Sequence, residues 1–579
     1  MKPRHLRNYL LLSLLASTHA MADAPVTSCA DLVNAAIPHT TIASAAIDGG
    51  QTSSTFSGAG AMPENCVVKG VIEPRTGVVD PDTGSDQYGT HFELRLPTDW
   101  NGRFFFQGGG GTDGYVVEAD GPVVSQANDQ QIPALWRGYA VISTDAGHTS
   151  ANDQTAMFKS GFGVDPQARL DYGYRSIGVA TGVAKALIDV YYGSEPSHSY
   201  FVGCSKGGQE AMQASQVYGD EFDGIVAGDP GMRLPQAAVN QVADVQILAQ
   251  TAKKMSPLAI DITSGEPLLS GAFSTGDLNL IANAVTQACD NLDGLADGLI
   301  FRPEACQKAF DPATLQCKAF KTASCLAPVQ VAALKQIMAG ATDSAGKPLY
   351  NSFFYDTGIN SSGFGGWAQW KIGFPHWLIN SAMNIAIGEG AMQYIFSTPP
   401  NPGMSIFDAD INALDAATRA TGTDPSTSVV YGTSAVDFMY ANNPNLDALR
   451  AHGGKLILYH GASDPVFSIK DTLNYYSSLQ QRYGVATDNF ARMFIVPGMG
   501  HCLDGSRSAN SFDALTALEN WVEHGVAPDR MVARAGNATF GPNSLPDNVT
   551  RPLCAYPLFA RYKGFGDTND AGSFICSSL

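Results

Sequence analysis

Two dipeptides far apart in this chain, Cys204-Ser205 and His501-Cys502, each bond a cysteine directly to a residue with nucleophile or base chemistry. A disulfide between Cys204 and Cys502 would bring their Cα atoms to about 5.5–6 Å. It would draw the neighbouring serine and histidine together whatever the chain does between them.

The serine lies in a segment with strong local rules. Tyr200-Phe201-Val202 reads as a buried strand, and Gly203-Cys204-Ser205-Lys206-Gly207 fits the G-x-S-x-G elbow. In that strand-to-helix turn, flanking glycines avoid Cβ clashes and the serine hydroxyl stands above the sheet. A helix is predicted from Gly207 to about Tyr218, and no second G-x-S-x-G occurs in the 579 residues.

The histidine follows another apolar strand, Arg492 to Val496, which stops at Pro497 and runs into the loop Gly498-Met499-Gly500-His501. His148 and His460 also follow strands and are reserve candidates, whereas His39, His91, His198, His376, His452 and His524 read as solvated or packed. Between serine and histidine, the strand Leu456 to Tyr459 leads to Asp464, in Ser463-Asp464-Pro465. The order Ser, Asp, His is that of an α/β-hydrolase triad; a turn-forming aspartate is the plainer alternative. Oxyanion donors would come from the Lys206 amide and from the glycine run Gly108 to Gly111, which ends the strand Arg103 to Gln107.

These segments, with Cys289 to Gly298 and the tail Arg551 to Asp567, resemble the tannase/feruloyl esterase family from about Cys29 to Cys576. The likeness is greatest to its bacterial branch that hydrolyses the mono-ester of terephthalate. The resemblance implies a triad of Ser205, Asp464 and His501, oxyanion amides from Gly111 and Lys206, and an active-site disulfide Cys204–Cys502. It also implies the pairs Cys29–Cys66, Cys289–Cys306, Cys317–Cys325 and Cys554–Cys576.

Ten cysteines suit an oxidising compartment. Residues 1–22 read as a signal peptide: Lys2, Arg4 and Arg7 precede the apolar run Leu10 to Ala16, which is too short to span a membrane, and Ala20-Met21-Ala22 offers a cleavage site. The mature protein is therefore expected to be secreted or periplasmic. A net charge of −19 without basic tracts gives a surface that repels nucleic acid and anionic membranes, so no nucleic-acid partner and no membrane span are expected. A monomer is the working assumption.

The chain is too long for one compact core. Strand-helix alternation up to about Gly231 and again from about Lys455 predicts one parallel-sheet domain in two parts, 23–231 and 444–579. Helices are expected from Leu170 to Tyr192 and from Ser511 to Glu523, and strands at Tyr139 to Ser143 and Phe222 to Gly228. Residues 232–443 break the rhythm and read as a lid inserted between nucleophile and acid, above the strand ends where ligands bind in such folds.

Within the lid, Asp290, Asp293 and Asp297 lie in a glycine-punctuated loop that can offer Ca²⁺ the oxygen ligands it prefers, although Phe301 at the twelfth position excludes an EF-hand. The resemblance implies a structural calcium held by these three side chains and the carbonyls of Leu295 and Leu299. It also places Trp370 and Phe467 against an aromatic acyl group. The resembling branch grips its substrate's carboxylate with a lid arginine; here residues 371–397 hold none, and Met383 is its counterpart.

The expected activity is hydrolysis of small esters of aromatic acids, feruloyl or galloyl in type, through an acyl-enzyme. Terephthalate mono-ester hydrolysis is the alternative. A serine peptidase and a calcium-stabilised binding protein without turnover are readings from other classes.

Overall fold

The computed structural model describes residues 24–50, 60–122, 132–149, 154–374, 378–536 and 544–578. The predicted signal peptide, 1–22, and His376 lie outside the described residues.

Nine strands form the central sheet: β1 (Thr40–Asp48), β2 (Asn65–Thr76), β3 (Gln87–Pro97), β4 (Arg103–Gln107), β5 (Ala140–Thr144), β6 (His198–Cys204), β7 (Gly224–Gly228), β8 (Lys455–Gly461) and β9 (Ala491–Val496). Their spatial order is β1-β2-β3-β5-β4-β6-β7-β8-β9. From β5 to β9 every neighbouring pair is parallel. The first three strands instead run antiparallel to one another, and β3 is antiparallel to β5. The sheet is thus mixed rather than purely parallel, and among the described residues the segments joining β1, β2 and β3 hold no crossover helix of the kind that parallel neighbours need. The parallel strands are buried nearly throughout, as strands covered on both faces must be, while β1 at the edge alternates with solvent.

Five helices matter to the site: α1 (Ser176–Tyr192), α2 (Lys206–Val217), α3 (Leu234–Met255), α4 (Ile469–Tyr483) and α5 (Ala514–His524). Side chains alternate across the pleat, so Phe104 and Phe106 pack with α1 and α4 on one face, and Phe105 with Leu515, Leu518 and Trp521 of α5 on the other. The helix expected from Leu170 begins with a short turn, Pro166–Leu170, and widens to a π-turn at Asp171–Arg175 before α1 continues. Helix α5 starts three residues later than predicted, because the Asp513 carboxylate caps it at the Thr516 amide.

A third core lies in the segment between β7 and β8 and extends to Tyr172, Val466 and Phe467. At the two ends of this segment the Ala441 amide donates to the Met232 carbonyl at 2.9 Å. All five expected disulfides are formed, with Cα separations from 5.0 to 6.0 Å. Among the described residues no helix is long and apolar enough to cross a membrane.

Candidate active site

Register sets the site. Gln107 is opposite Val202, Cys204 opposite Gly228, Gly228 opposite Tyr459, and Gly461 opposite Val496. The strands β4, β6, β7, β8 and β9 therefore end at one edge, and Gly111, Ser205, Asp229, Asp464 and His501 all follow within a few residues.

Ser205 sits between β6 and α2 with φ +65° and ψ −121°, the strained conformation of an elbow. A Cβ at Gly203 would meet the Gly207 carbonyl oxygen at 2.3 Å, and one at Gly207 would meet the Gly109 oxygen at 2.6 Å. Here the glycines are steric requirements.

The Ser205 Oγ lies 2.7 Å from His501 Nε2, and His501 Nδ1 lies 2.8 Å from Asp464 Oδ2. The other Asp464 oxygen, Oδ1, accepts from the amides of Val466 and Phe467 at 2.7 and 3.1 Å. Asp464 thus forms a turn and also faces the histidine; the two sequence alternatives coexist in one carboxylate. Burial by itself would raise the Asp464 carboxyl, but His501 and hydrogen bonds with His460 and His501 hold it well below the usual carboxylate range. It remains ionised and accepts from the imidazole.

The reserve histidines lie elsewhere. His148 Nε2 is 2.9 Å from the Thr112 carbonyl and the ring stacks on Phe162; burial lowers its pKa to about 3. His460 is fully buried behind Asp464, 2.8 Å from Thr472 Oγ1 and 3.3 Å from Asp464 Oδ2. Neither takes the place of His501 beside Ser205.

The bond between Cys204 and Cys502 spans a Cα separation of 6.0 Å. Sequence reading missed its partner in this task, Asp229. The Asp229 Oδ2 accepts from the Cys502 amide at 3.0 Å and Oδ1 accepts from the Gly461 amide at 2.7 Å. Burial, opposed by His460 and reinforced by Asp464, pushes Asp229 up to about 7. The available signal was positional, since Asp229 directly follows a predicted strand as Ser205 does.

Among the described residues, neither the Gly111 nor the Lys206 backbone N–H has a hydrogen-bond partner. Both residues line the cavity beside Ser205. Gly111 has φ +60°, and a Cβ there would meet the Met157 oxygen at 2.5 Å. The loop is tied to α2 through Glu210, whose carboxylate accepts from the Gly109 amide at 2.9 Å and from Lys206 Nζ at 2.7 Å. The Lys206 side chain is engaged by Glu210 and lies over the Tyr172 ring, which leaves its backbone amide as the unspent donor.

Trp370 and Phe467 line the cavity and flank His501 edge-on, with ring centroids 5.3 and 5.1 Å from the imidazole. Met383 does not: it is buried in the lid core, and the chain reaches the cavity only one turn later, at Ile387 and Gly388. The lid cation nearest Trp370 in sequence, Lys371, is buried against Asp244.

The acidic loop lies away from this cavity. Asp290 Oδ1 accepts from the Asp297 and Gly298 amides, Asp293 from the Leu295 and Phe301 amides, and Asp297 from Leu299 and from the Arg551 guanidinium. Burial, with Asp297 and Asp290 close by, pushes Asp293 up to about 7. The donors are all hard oxygens, which suits calcium. Their carboxylate oxygens do not all lie within 4.8 Å of one another.

Comparison with known proteins gives consistent matches. The profile of the family described as tannase and feruloyl esterase matches residues 75–577. The chain is 42% identical over 550 residues to mono(2-hydroxyethyl) terephthalate hydrolase of Piscinibacter sakaiensis, covering 90% of this chain and 86% of that one. It is 31% identical to a probable feruloyl esterase of Arthroderma benhamiae over 84% of this chain and 81% of the other. In structure it is similar to feruloyl esterase B of Aspergillus oryzae, with TM-score 0.71 at 21% identity over 95% of this chain and 99% of that one. The same holds for tannin acyl hydrolase of Aspergillus niger, with TM-score 0.65 at 20% identity over 94% and 92%.

Proposed function

The chain belongs to the tannase and feruloyl esterase family, and on that premise we propose that it hydrolyses carboxylic esters of aromatic acids with Ser205, His501 and Asp464 as its triad. The observation that carries the assignment of residues is the unbroken chain from Ser205 Oγ through the imidazole to Asp464 at the strand ends. His501 Nε2 takes the Ser205 proton as Oγ bonds to the ester carbonyl carbon. Asp464 holds the other ring nitrogen and stabilises the imidazolium. The amides of Gly111 and Lys206, unspent on other acceptors, bind the oxyanion. The C–O bond to the alcohol breaks as His501 returns the proton to it, and water, deprotonated by the same nitrogen, then releases the acid and restores Ser205.

The cavity favours neutral phenolic esters over the terephthalate mono-ester. A carboxylate needs a charged partner, yet Lys206 is paired with Glu210 and Lys371 with Asp244. The 42% identity to a terephthalate mono-ester hydrolase favours the second reading. Specificity constants of the purified protein for methyl ferulate, methyl p-coumarate, methyl gallate and the terephthalate mono-ester decide between them. A larger value for the mono-ester than for every phenolic ester overturns the phenolic reading, and no turnover of any aryl ester overturns both.

A structural calcium would be held by Asp290, Asp293 and Asp297 with the Leu295 and Leu299 carbonyls, adding positive charge to three carboxylates that the Arg551 and Arg507 guanidiniums offset in part. It takes no part in the proton transfers above. Metal analysis of the parent and of Asp290→Ala tests it: about one calcium in the parent, less in the variant, against none in either. Secretion through residues 1–22 is likewise proposed, and agrees with five disulfides and no free cysteine among the described residues.

A further inference from the structure

The cavity beside Ser205 has few polar side chains, and most of them are spent. Thr112 Oγ1 donates to the Lys159 carbonyl at 2.5 Å, the Tyr172 hydroxyl to the Gly111 carbonyl at 3.1 Å, and Lys206 Nζ to Glu210. Among the described residues Trp370 Nε1, a donor only, has no partner, and Gln241 alone adds an unspent acceptor. It lines the same cavity, is only 6% exposed, and its side-chain amide has no hydrogen-bond partner among the described residues. A side chain held this nearly buried, with its carboxamide open to the cavity and unpartnered by the protein, has its hydrogen bonds left for a ligand.

Its place on α3 says which part of a substrate it meets. Leu234, Ala238 and Gln241 all line the cavity, as the i, i+4, i+7 positions of one helix face do. Leu234 lies at the catalytic end, where both its side chain and the Phe467 ring approach Gly231, and Phe467 in turn flanks His501. Gln241 is two turns further on, about 10 Å along the axis. Across from it Gly388 leaves room for the amide: a Cβ there would come within 2.9 Å of Gln241 Oε1.

We infer that Gln241 is a specificity-determining residue that pairs with a hydroxyl group on the aromatic ring of the acyl part, at the end remote from the ester carbonyl. The inference rests on the aryl esterase reading above and deepens it. A neutral carboxamide offers N–H donors and a carbonyl acceptor together. A phenolic hydroxyl, which donates once and accepts, satisfies both. A carboxylate only accepts, and would enter beside the Gln241 oxygen without a compensating charge.

Methyl cinnamate and methyl p-coumarate differ only in the para-hydroxyl, and mono-methyl terephthalate carries a carboxylate there. The parent, Gln241→Leu and Gln241→Met are compared by kcat/KM on all three, with fluorophosphonate labelling of Ser205 reporting an intact site in each preparation. The ratio of p-coumarate to cinnamate is expected to fall about tenfold in both variants, the worth of one such hydrogen bond, mainly through KM. A ratio within twofold of the parent's in either labelled variant overturns the inference, as does a larger loss on the terephthalate ester than on p-coumarate. A parent that turns over none of the three removes instead the esterase reading beneath it.

Discussion

Ser205 and His501 meet at 2.7 Å, but the structures that hold them there are of different kinds. The Ser205 turn is local: β6 leads into it, α2 leads out, and the clash distances at Gly203 and Gly207 involve segments packed directly against it. The His501 loop has local bonds, from the Ser508 hydroxyl to the Pro497 carbonyl at 2.8 Å and from the Asn510 side chain to the Asp504 carbonyl at 3.0 Å, but the amides of His501 and Cys502 donate to other segments. It leaves β9 at Val496 and is held by the disulfide to Cys204, by the Asp229 carboxylate on the Cys502 amide, and by the lid, whose Gly365 carbonyl accepts from the His501 amide at 2.8 Å. A carboxylate returns the contact, since Asp504 accepts from the Gly365 amide at 2.8 Å. The elbow's turn is set largely within its own strand, glycines and helix, whereas the histidine is placed by Cys204, Asp229 and Gly365 from other parts of the chain.

This contrast can be broken in several places. Ser205→Ala removes the proposed nucleophile and is expected to lower ester turnover on the order of 10⁴-fold or more, with an unchanged melting temperature because the elbow backbone stays intact. Activity within tenfold of the parent would remove the triad assignment. Replacing both cysteines, Cys204→Ala/Cys502→Ala, leaves every catalytic group present but frees the histidine loop. A misplacement of about 1 Å costs on the order of 100-fold in kcat, and the lost cross-link costs about 2–4 kcal/mol in stability. Parental turnover in the double mutant would show that Asp229 and the lid suffice.

Smaller effects separate the two sides further. A Cβ at Gly365 would lie 2.4 Å from the His501 carbonyl oxygen and 2.7 Å from that of Leu503. Gly365→Ala is therefore expected to lower kcat on the order of tenfold by displacing the loop, although residue 365 belongs to the lid. If KM rises while kcat holds, the lid contributes only to binding. On the serine side, Glu210→Gln weakens the tie between α2 and the Gly109 amide while keeping the side chain's shape. A loss of about threefold to tenfold in kcat at constant KM is expected, since the donor is shifted rather than removed. A rise in KM alone would place Glu210 in substrate binding.

Much of the fold was legible because its signals are local. β6, the elbow and α2 could be read from apolar runs and glycine spacing, and α2 was found one residue from its predicted start. The helix capped by Asp513 was placed within three residues for the same reason. The antiparallel β1 to β3 were not foreseen, since pairing direction depends on how the chain returns and not on the composition of the strands. Met383 was assigned to the cavity as the counterpart of the resembling branch's lid arginine, but a match along an irregular lid does not fix which side of a short helix faces the substrate. Asp229 and Gln241 were missed because an aspartate after a strand and a glutamine within a helix are ordinary in sequence. Only their neighbours make them notable.

By itself the sequence determined the chemistry on offer: one elbow serine, an aspartate and a histidine in the order of an α/β-hydrolase, glycines where Cβ atoms could not fit, and ten cysteines for five bonds. It could do so because each is a matter of residue type and near-neighbour sterics. The tertiary structure alone decided which oxygen of Asp464 faces the imidazole, that Lys206 and Lys371 are spent on buried carboxylates, and that Gln241 is left unpaired in the cavity. Those outcomes depend on side chains from distant segments competing for the same partners in a confined space, and sequence spacing carries no record of who wins that competition.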